Sequence, residues 1–200
     1  MASWRMTFTR EDYITEYTHI YNTLNELGSG ATEEQRTQEY YDILTRGGFE
    51  KGMSVLDYGC GWGAMAREID DYYGVDIMPK AIELAKKNFP DKKFDILEIG
   101  KLKCKKKDMS IALSVFTHCL LQDVDDCLGD IARVTKSRFL VDILEGNDSQ
   151  SNLHVRYWNK EDFIKKLEEF GFKTTGEFKI TAPYGYVHTY LITEKITKKK

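Results

Sequence analysis

The amino-acid sequence has few cysteines, no long apolar run and no excess of positive charge. A membrane-spanning helix needs roughly 18 uninterrupted apolar residues, and no such run is present. The N-terminus also lacks the apolar core of a signal peptide. These absences predict a cytoplasmic protein with reduced thiols, no metal site and no membrane partner. The cysteines, which form no CxxC pair and have no histidine at zinc-ligand spacing, are Cys60, Cys104, Cys119 and Cys127.

The charge balance excludes another class of partner. Lysine and arginine number 29 against 32 acidic residues, giving a net charge of -3 at pH 7. A protein that binds nucleic acid usually presents a strongly basic field, so no nucleic-acid partner is expected. With 42% apolar and 12% aromatic residues over 200 positions, the composition is that of an ordinary globular protein. The length suits one domain with an additional N-terminal segment.

Two helices are predicted before the main domain. Apolar side chains recur every three or four residues between positions 11 and 27, which is the spacing of one helix face. Thr32 and Gln35 have the spacing of a capping box, and Gly47 and Gly48 supply a C-terminal stop. We therefore expect an N-terminal helical cap or lid over residues 1–50 and one structural unit, the main domain, over residues 51–200.

From Met53 onward, short β-rich runs alternate with helical stretches, which is typical of βαβ units and a parallel sheet. Two final strand-like runs, 172–181 and 186–194, are separated by too few residues for a crossover helix and therefore form an antiparallel hairpin. The predicted fold is α/β, a doubly wound seven-stranded sheet with five parallel strands, a C-terminal antiparallel hairpin and helices on both faces. The other strands are expected near 53–57, 72–76, 93–97, 109–115 and 138–144, and the helices near 63–70, 79–88, 124–134 and 160–170.

The most informative segment is residues 54–63, where an apolar strand leads into three glycines and then a helix. Glycines let the backbone approach a ligand closely, and the following helix points free N–H groups at it. The spacing also fits the loose dinucleotide fingerprint. Asp57, however, precedes the first glycine by two residues, where it would repel a pyrophosphate and attract a cation. Asp76 ends the next strand, where a carboxylate receives both hydroxyls of a ribose, so the pattern favours a positively charged nucleoside.

Residues 55–63, Val-Leu-Asp-Tyr-Gly-Cys-Gly-Trp-Gly, resemble motif I of the class I (Rossmann-like) S-adenosylmethionine-dependent methyltransferases. Residues 74–85, 94–99 and 108–118 are similar to the family's second-, third- and fourth-strand segments, and the resemblance covers residues 50–195. It implies S-adenosyl-L-methionine as cofactor, with S-adenosyl-L-homocysteine as its product, in the small-molecule branch of the family. The cofactor-binding residues expected are Asp57, Gly59, Cys60, Gly61, Gly63, Asp76, Ile77, Glu98, Ile99, Ser114 and Val115.

Several of these assignments have structural alternatives. Where the family usually has an aspartate near the adenine amino group, this sequence has Glu98, or Asp95 in another register. Asp76 also suits the N-cap of the helix that follows it. Ile77 and Ile99 either sandwich the adenine ring or belong to the core.

The resemblance implies an in-line displacement, in which an acceptor lone pair attacks the methyl group and a neutral thioether leaves. A base is needed only when the acceptor must lose a proton, as a hydroxyl must. His118, at the sheet edge where ligands lie, is the candidate catalytic base, and its alternative role is a hydrogen bond to backbone. Asp142 and Glu145 lie at the end of the fifth predicted strand. Each is either a further candidate base or a solvated strand end. The candidates for the acceptor site or lid are Tyr13, Tyr17, Trp62, Tyr184 and His188.

The absence of certain motifs narrows the range of possible methyl acceptors. The fourth strand is followed by Ser-Val-Phe-Thr rather than by the Asn-Pro-Pro-Tyr type of signature for adenine or amide methylation, and no Pro-Cys pair serves covalent cytosine methylation. The sequence resembles branches that act on small molecules, and a hydroxyl of a metabolite, sugar or natural product is the expected acceptor. The alternatives are an N-methyltransferase of a small amine, a non-catalytic S-adenosylmethionine-binding module and a NAD-dependent oxidoreductase. The sequence does not indicate the oligomeric state.

Overall fold

A computed structural model describes residues 9–12, 14–15, 18, 33–146, 150–152, 155–182 and 185–196. Residues 10–12, 14–15 and 18 are helical, in agreement with the first predicted helix. The predicted capping residue Thr32 lies outside the described residues. The further elements are α1 (Glu33–Arg46), β1 (Ser54–Tyr58), a 3₁₀ turn (Ala64–Glu68), β2 (Asp71–Asp76), α2 (Pro79–Asn88), β3 (Lys93–Ile96), β4 (Lys107–Ala112), a second 3₁₀ turn (Leu121–Asp123), α3 (Val124–Val134), β5 (Thr135–Glu145), β6 (Gln150–Asn152), β7 (Val155–Trp158), α4 (Lys160–Glu169), β8 (Phe172–Thr181) and β9 (Val187–Lys195).

The strands form one mixed sheet. Its spatial order is β3-β2-β1-β4-β5, all parallel, followed by β9 and then β8. Since β9 is antiparallel to both of its neighbours, β8 runs in the same direction as the first five strands. β7 pairs with the last two residues of β5, and β6 pairs with β7. The predicted parallel strands and terminal hairpin are therefore confirmed, while the two short strands β6 and β7 were not predicted.

The central strands are buried on both sides because helices cover both faces of the sheet. All of β1 is buried. On one face Leu56 belongs to a cluster with Leu128 of α3 and Phe163 of α4. On the other face Val55 belongs to a cluster with Ile43 of α1. This arrangement confirms the doubly wound architecture.

Local signals in the sequence explain where the helices begin and end. α1 ends at Arg46, and Gly48 beyond it has a φ of 89°, which favours glycine. Pro79 occupies the first turn of α2, where its missing N–H costs nothing. The side chain of Asn159 accepts a 3.0 Å hydrogen bond from the backbone N–H of Asp162 and caps α4. The helix predicted near 63–70 is instead the 3₁₀ turn.

The topology creates a crevice at the carboxyl edge of the sheet. After β1 the chain moves outward to β2 and β3, and it then returns to place β4 and β5 on the other side of β1. Ligands of doubly wound sheets bind at such a switch point, outside the carboxyl ends of the strands. No helix among the described residues is long and apolar enough to cross a membrane.

Candidate active site

The glycine-rich turn after β1 is held tightly against β2. The backbone N–H groups of Gly59 and Cys60 both donate to the carbonyl oxygen of Val75, at 2.7 and 3.0 Å. Gly59 has a φ of 82°, and a Cβ added there would lie 2.4 Å from Cγ2 of Val115. Only glycine fits both the backbone conformation and the space. Gly61 and Gly63 also have positive φ values, of 52° and 85°.

Asp76 organises this turn from the end of β2. Its Oδ2 accepts a 2.8 Å hydrogen bond from the N–H of Gly61, and its Oδ1 accepts one of 2.8 Å from the N–H of Met78. Burial raises the pKa of the Asp76 carboxyl above its ordinary value, and the two N–H donors oppose that rise. The N-cap of α2 is Met78, with no capping side chain, so the alternative of Asp76 as N-cap is wrong. Because a carboxylate has about four acceptor positions, Asp76 retains room for further donors.

A cavity opens between the carboxyl ends of β1, β2 and β4. Seven of the predicted residues line it together: Gly59, Asp76, Ile77, Ile99, Ser114, Val115 and His118. Its wall also contains residues that sequence reasoning missed: Arg10, Tyr58, Leu97, Cys119, Leu120, Asp123 and Cys127. The cavity wall therefore combines two buried carboxylates, Asp76 and Asp123, with Gly59, which has no side chain, and with apolar side chains.

Asp57 lies at the end of β1, outside the residues that line this cavity. Its side chain is buried, and its Oδ2 accepts a 2.6 Å hydrogen bond from the hydroxyl of Tyr72. Burial raises the pKa of Asp57 to about 7, the Tyr72 hydrogen bond opposes the rise, and the charge of Asp76 adds to it. Asp57 thus changes its charge near neutral pH, next to the turn that bounds the cavity.

The other predicted cofactor residues occupy different positions. Cys60, Gly61 and Gly63 build the turn without lining the cavity, and Trp62 beside them is buried. Glu98 is exposed and forms a 3.0 Å ion pair with Lys101, in a neighbouring groove. Asp95, the alternative to Glu98, accepts a 2.9 Å hydrogen bond from the hydroxyl of Tyr73. The cofactor roles of all these residues stay predictions.

Beside the cavity, three chain segments meet at one buried carboxylate. Asp142 of β5 is fully buried; its Oδ1 accepts a 2.5 Å hydrogen bond from the N–H of Ser114, and its Oδ2 lies 2.6 Å from Nδ1 of His188. Ser114 has a φ of 59°, the only positive value of a residue other than glycine in the described part of the chain. Such backbone strain clusters at functional sites. Sequence reasoning considered Asp142 and His188 separately, since 46 positions separate them.

The N-terminal helical segment reaches the cavity through an ion pair. Arg10 donates from Nη2 to Oδ1 of Asp123 at 2.7 Å and from Nε to Oδ2 at 3.3 Å. Asp123 ends the second 3₁₀ turn, and both residues line the cavity. The predicted acceptor or lid residues Tyr13, Tyr17 and Tyr184 lie outside the described residues. Among the residues that are described, no group of acidic, histidine or cysteine side chains has the arrangement of a metal site.

Comparison with known proteins gives a family match over residues 49–181, to a family described as a methyltransferase domain. No curated protein matches the sequence. Magnesium protoporphyrin IX methyltransferase (ChlM) from Synechocystis PCC 6803, solved with bound S-adenosylhomocysteine, has a TM-score of 0.68 and 17% identity over 94% of this chain and 96% of that one. At this identity the likeness shows the fold.

Two further structures share the fold. The 1,6-didemethyltoxoflavin-N1-methyltransferase from Burkholderia thailandensis has a TM-score of 0.70 and 15% identity, over 92% of this chain and 88% of that one. The 4+2 cyclase SpnF has a TM-score of 0.68 and 12% identity, over 81% of this chain and 82% of that one. Since the family match spans well over half of the sequence, the chain belongs to the methyltransferase domain family, as the resemblance of its motifs implied.

Proposed function

We propose that this methyltransferase uses S-adenosylmethionine to methylate the hydroxyl group of a small molecule in the cytoplasm. The observation that carries the proposal is the position of Gly59, Asp76 and Ile99 around one cavity. A buried carboxylate suits a ribose diol, apolar side chains suit a purine ring, and a glycine at the cavity wall leaves space for the remainder of the nucleoside. The cavity thus fits the cofactor that the sequence predicts.

In the proposed reaction, the bound cofactor supplies a methyl group already activated by a positively charged sulfur. The protein then contributes mainly binding and alignment. Asp76 accepts the ribose hydroxyls, Ile77 and Ile99 contact the adenine ring, and the ionised form of Asp57 favours a cation nearby. His118 lines the same cavity and is positioned to contact an acceptor placed there.

In this proposal, the N-terminal segment of residues 1–50 serves as a lid over the cavity. Arg10 belongs to the helical segment at the start of the chain and contacts Asp123 on the main domain across the cavity wall. Closure of such a segment excludes water from the reacting groups. The net charge of -3 supports a small-molecule acceptor rather than a nucleic acid.

Two observations favour other functions on the same fold. The toxoflavin enzyme of similar structure is named as an N1-methyltransferase, which supports a nitrogen acceptor as the second candidate. SpnF is named as a cyclase, so the fold also serves a protein that is not named as a methyltransferase, and a non-methylating role is the third candidate. Both candidates keep the cofactor site and differ in the fate of the methyl group.

Two measurements separate these functions. Isothermal titration calorimetry with S-adenosylmethionine, S-adenosylhomocysteine and NAD is expected to show binding of the first two only. Incubation with S-adenosylmethionine tritiated in its methyl group and a panel of phenols, sugars and primary amines is expected to label a hydroxyl compound. Labelling of amines alone would establish nitrogen methylation, and cofactor binding without any labelling would support the non-methylating role. NAD binding in place of S-adenosylmethionine binding would overturn the proposal.

A further inference from the structure

We propose that His188, oriented by Asp142, is the general base that removes the proton of the hydroxyl acceptor. This inference rests on the proposed function and assigns to His188 the role that was expected of His118. It starts from the 2.6 Å contact between His188 Nδ1 and Asp142 Oδ2. The two side chains lie on the same face of the sheet, because Asp142 is opposite Tyr190 and Leu144 is opposite His188 in the β5–β9 register.

The position of this pair suits an acceptor site. His188 is the second residue of β9, and its partner strand β5 ends at Glu145, so the ring lies at the carboxyl edge of the sheet. Ligands of doubly wound folds bind at this edge. The pair lies on the face of the sheet that packs against α1, which belongs to the proposed N-terminal cap of residues 1–50.

Asp142 also fixes which ring nitrogen carries the proton. An ionised carboxylate only accepts hydrogen bonds, so the proton of a neutral imidazole ring must reside on Nδ1 and the lone pair on Nε2. The same logic sets the histidine tautomer in hydrolase triads. The His188 side chain is 9% exposed, and its hydrogen bond to Asp142 engages Nδ1, which leaves Nε2 as the ring nitrogen for an acceptor.

One carboxylate connects this pair to the cofactor cavity. The second oxygen of Asp142 holds the N–H of Ser114, which lines the cavity in a left-handed conformation. Both oxygens of a fully buried Asp142 are thus used to position groups at the carboxyl edge. An ion pair that only stabilised the fold would not be expected to hold a strained segment of the cavity wall as well, because such strain clusters at functional sites.

The chemistry balances without a further reactant. The acceptor O–H gives its proton to Nε2, and the oxygen lone pair forms the new bond to the methyl carbon. The electron pair of the methyl–sulfur bond stays on sulfur, giving a methyl ether and a neutral thioether. The imidazolium that forms is stabilised by Asp142 and later returns its proton to water. Asp142 is a positioning residue here, and His188 is the group that contacts the acceptor.

An NMR measurement tests the tautomer without any acceptor. In ¹⁵N-labelled wild-type protein, the His188 ring, assigned by its loss in His188→Gln, is expected to show a protonated Nδ1 and a lone pair on Nε2 at neutral pH. Asp142→Asn is expected to mix the two tautomers, because an amide both donates and accepts. A wild-type ring protonated on Nε2 would overturn the inference, even if a variant failed to fold.

Kinetics test the role of the base. With the hydroxyl acceptor found by tritium labelling, His188→Gln is expected to lower kcat by about 100-fold or more, as loss of a general base does, while S-adenosylmethionine affinity stays within about twofold. The wild-type rate is expected to rise with pH, and the variant is expected to lose that rise. Other ionisable groups on this face include Asp142 and Arg138 of β5, Tyr190 of β9, Asp57 of β1, Tyr72 of β2, Cys60 of the glycine-rich turn and Arg46 of α1, which stacks on Phe178.

Thr189→Val is the matched control, because Thr189 is the next residue of β9 and its hydroxyl donates to Glu145 on the opposite face of the sheet. Its kcat and pH profile are expected to match those of the wild type. Methylation by His188→Gln at the wild-type rate, with the normal pH profile, would overturn the inference and leave the proposed function intact. Absence of cofactor binding by the wild type would overturn both.

Discussion

The hydroxyl of Tyr72 donates a 2.6 Å hydrogen bond to Oδ2 of Asp57, and both side chains are buried. Burial disfavours the carboxylate, while the hydrogen bond favours it. Burial is the larger effect, and the pKa of Asp57 rises to about 7. A carboxyl group beside the glycine-rich turn therefore has a pKa in the physiological range.

The contribution of Asp57 to stability is expected to fall as the pH rises from about 4 to about 7. The carboxyl of Asp57 in the unfolded chain loses its proton near its ordinary pKa of about 4, whereas the folded chain keeps it until about 7. Over this interval the unfolded state is favoured progressively. Urea unfolding of the wild type and of Asp57→Asn at several pH values measures the effect. The inference about Asp57 is wrong if both proteins have the same slope of unfolding free energy against pH.

Tyr72→Phe is expected to lower the free energy of unfolding at pH 7.5 by about 1.5–3 kcal/mol, the usual value of a hydrogen bond to a charged group. It is also expected to raise the pKa of Asp57 further, since the only opposing hydrogen bond is lost. The control is the same substitution in an Asp57→Asn background. In that background, Tyr72→Phe should lower the free energy of unfolding by less. An equal loss in the two backgrounds would show that the side chains of Tyr72 and Asp57 are not coupled.

Local sequence signals predicted the elements of the fold well. Pro79 marked the start of α2, Gly47 and Gly48 marked the end of α1, and the short connection before β9 required a hairpin. These signals succeed because each depends on the backbone preferences of a few adjacent residues. The strands β6 and β7 have no such signal, because three or four residues give too little periodicity.

The site was predictable where its residues belong to short motifs. The glycine turn and Asp76 belong to short motifs, and Gly59 and Asp76 line the same cavity as expected. The contacts of Arg10 with Asp123 and of Asp142 with His188 join residues that are far apart in the sequence. Nothing in the local pattern of either partner specifies the other, because tertiary packing alone brings them together.

Gly59→Ala is expected to destabilise the protein by about 2–5 kcal/mol, and Gly52→Ala by only about 1–2 kcal/mol. Both glycines have a left-handed backbone, at φ 82° and 93°, which costs an alanine about 1–2 kcal/mol. At Gly59 the new methyl group also overlaps Val115, whereas nothing lies within 4 Å of a Cβ at Gly52. Overpacking adds about 1–3 kcal/mol. Thermal or urea denaturation measures the difference.

A Val115→Ala background provides the control for this comparison. Removing the valine methyl groups makes room for the Cβ at position 59, so Gly59→Ala should then cost about as much as Gly52→Ala. If Gly59→Ala still destabilises the protein by about 2–5 kcal/mol in that background, the overlap with Val115 is not the cause of the destabilisation.

Asp76→Ala is expected to weaken S-adenosylmethionine binding by about 100-fold or more. Two hydrogen bonds from ribose hydroxyls to a carboxylate contribute about 1.5–3 kcal/mol each, and about 1.4 kcal/mol is a tenfold change in affinity. The N–H groups of Gly61 and Met78 also lose their acceptor, so circular dichroism must confirm that the variant is folded. Glu83→Ala on α2, whose exposed side chain pairs with Lys80, is the control and should bind normally. Unchanged affinity in folded Asp76→Ala would remove Asp76 from the cofactor site.

Arg10→Gln is expected to speed the release of S-adenosylhomocysteine by about threefold to tenfold while changing the stability by less than about 1 kcal/mol. The Arg10 side chain is 45% exposed and that of Asp123 is 9% exposed, so water reaches the guanidinium side of the pair. The stability effect is therefore expected to be nearer that of an exposed ion pair, about 0–1 kcal/mol, than that of a fully buried one. The larger kinetic effect follows if the pair with Asp123 holds the N-terminal segment over the cavity. Stopped-flow displacement of bound S-adenosylhomocysteine measures the release rate, and added salt should narrow the difference between wild type and variant.

A double variant shows whether Arg10 acts through Asp123. If it does, Arg10→Gln combined with Asp123→Asn releases S-adenosylhomocysteine no faster than Asp123→Asn alone. Lys165→Gln on α4, which removes an exposed ion pair with Asp162 far along the chain, should leave the release rate unchanged. Additive effects of the two cavity variants would mean that Arg10 and Asp123 contact the ligand independently, and the N-terminal segment would then not be held closed by this pair.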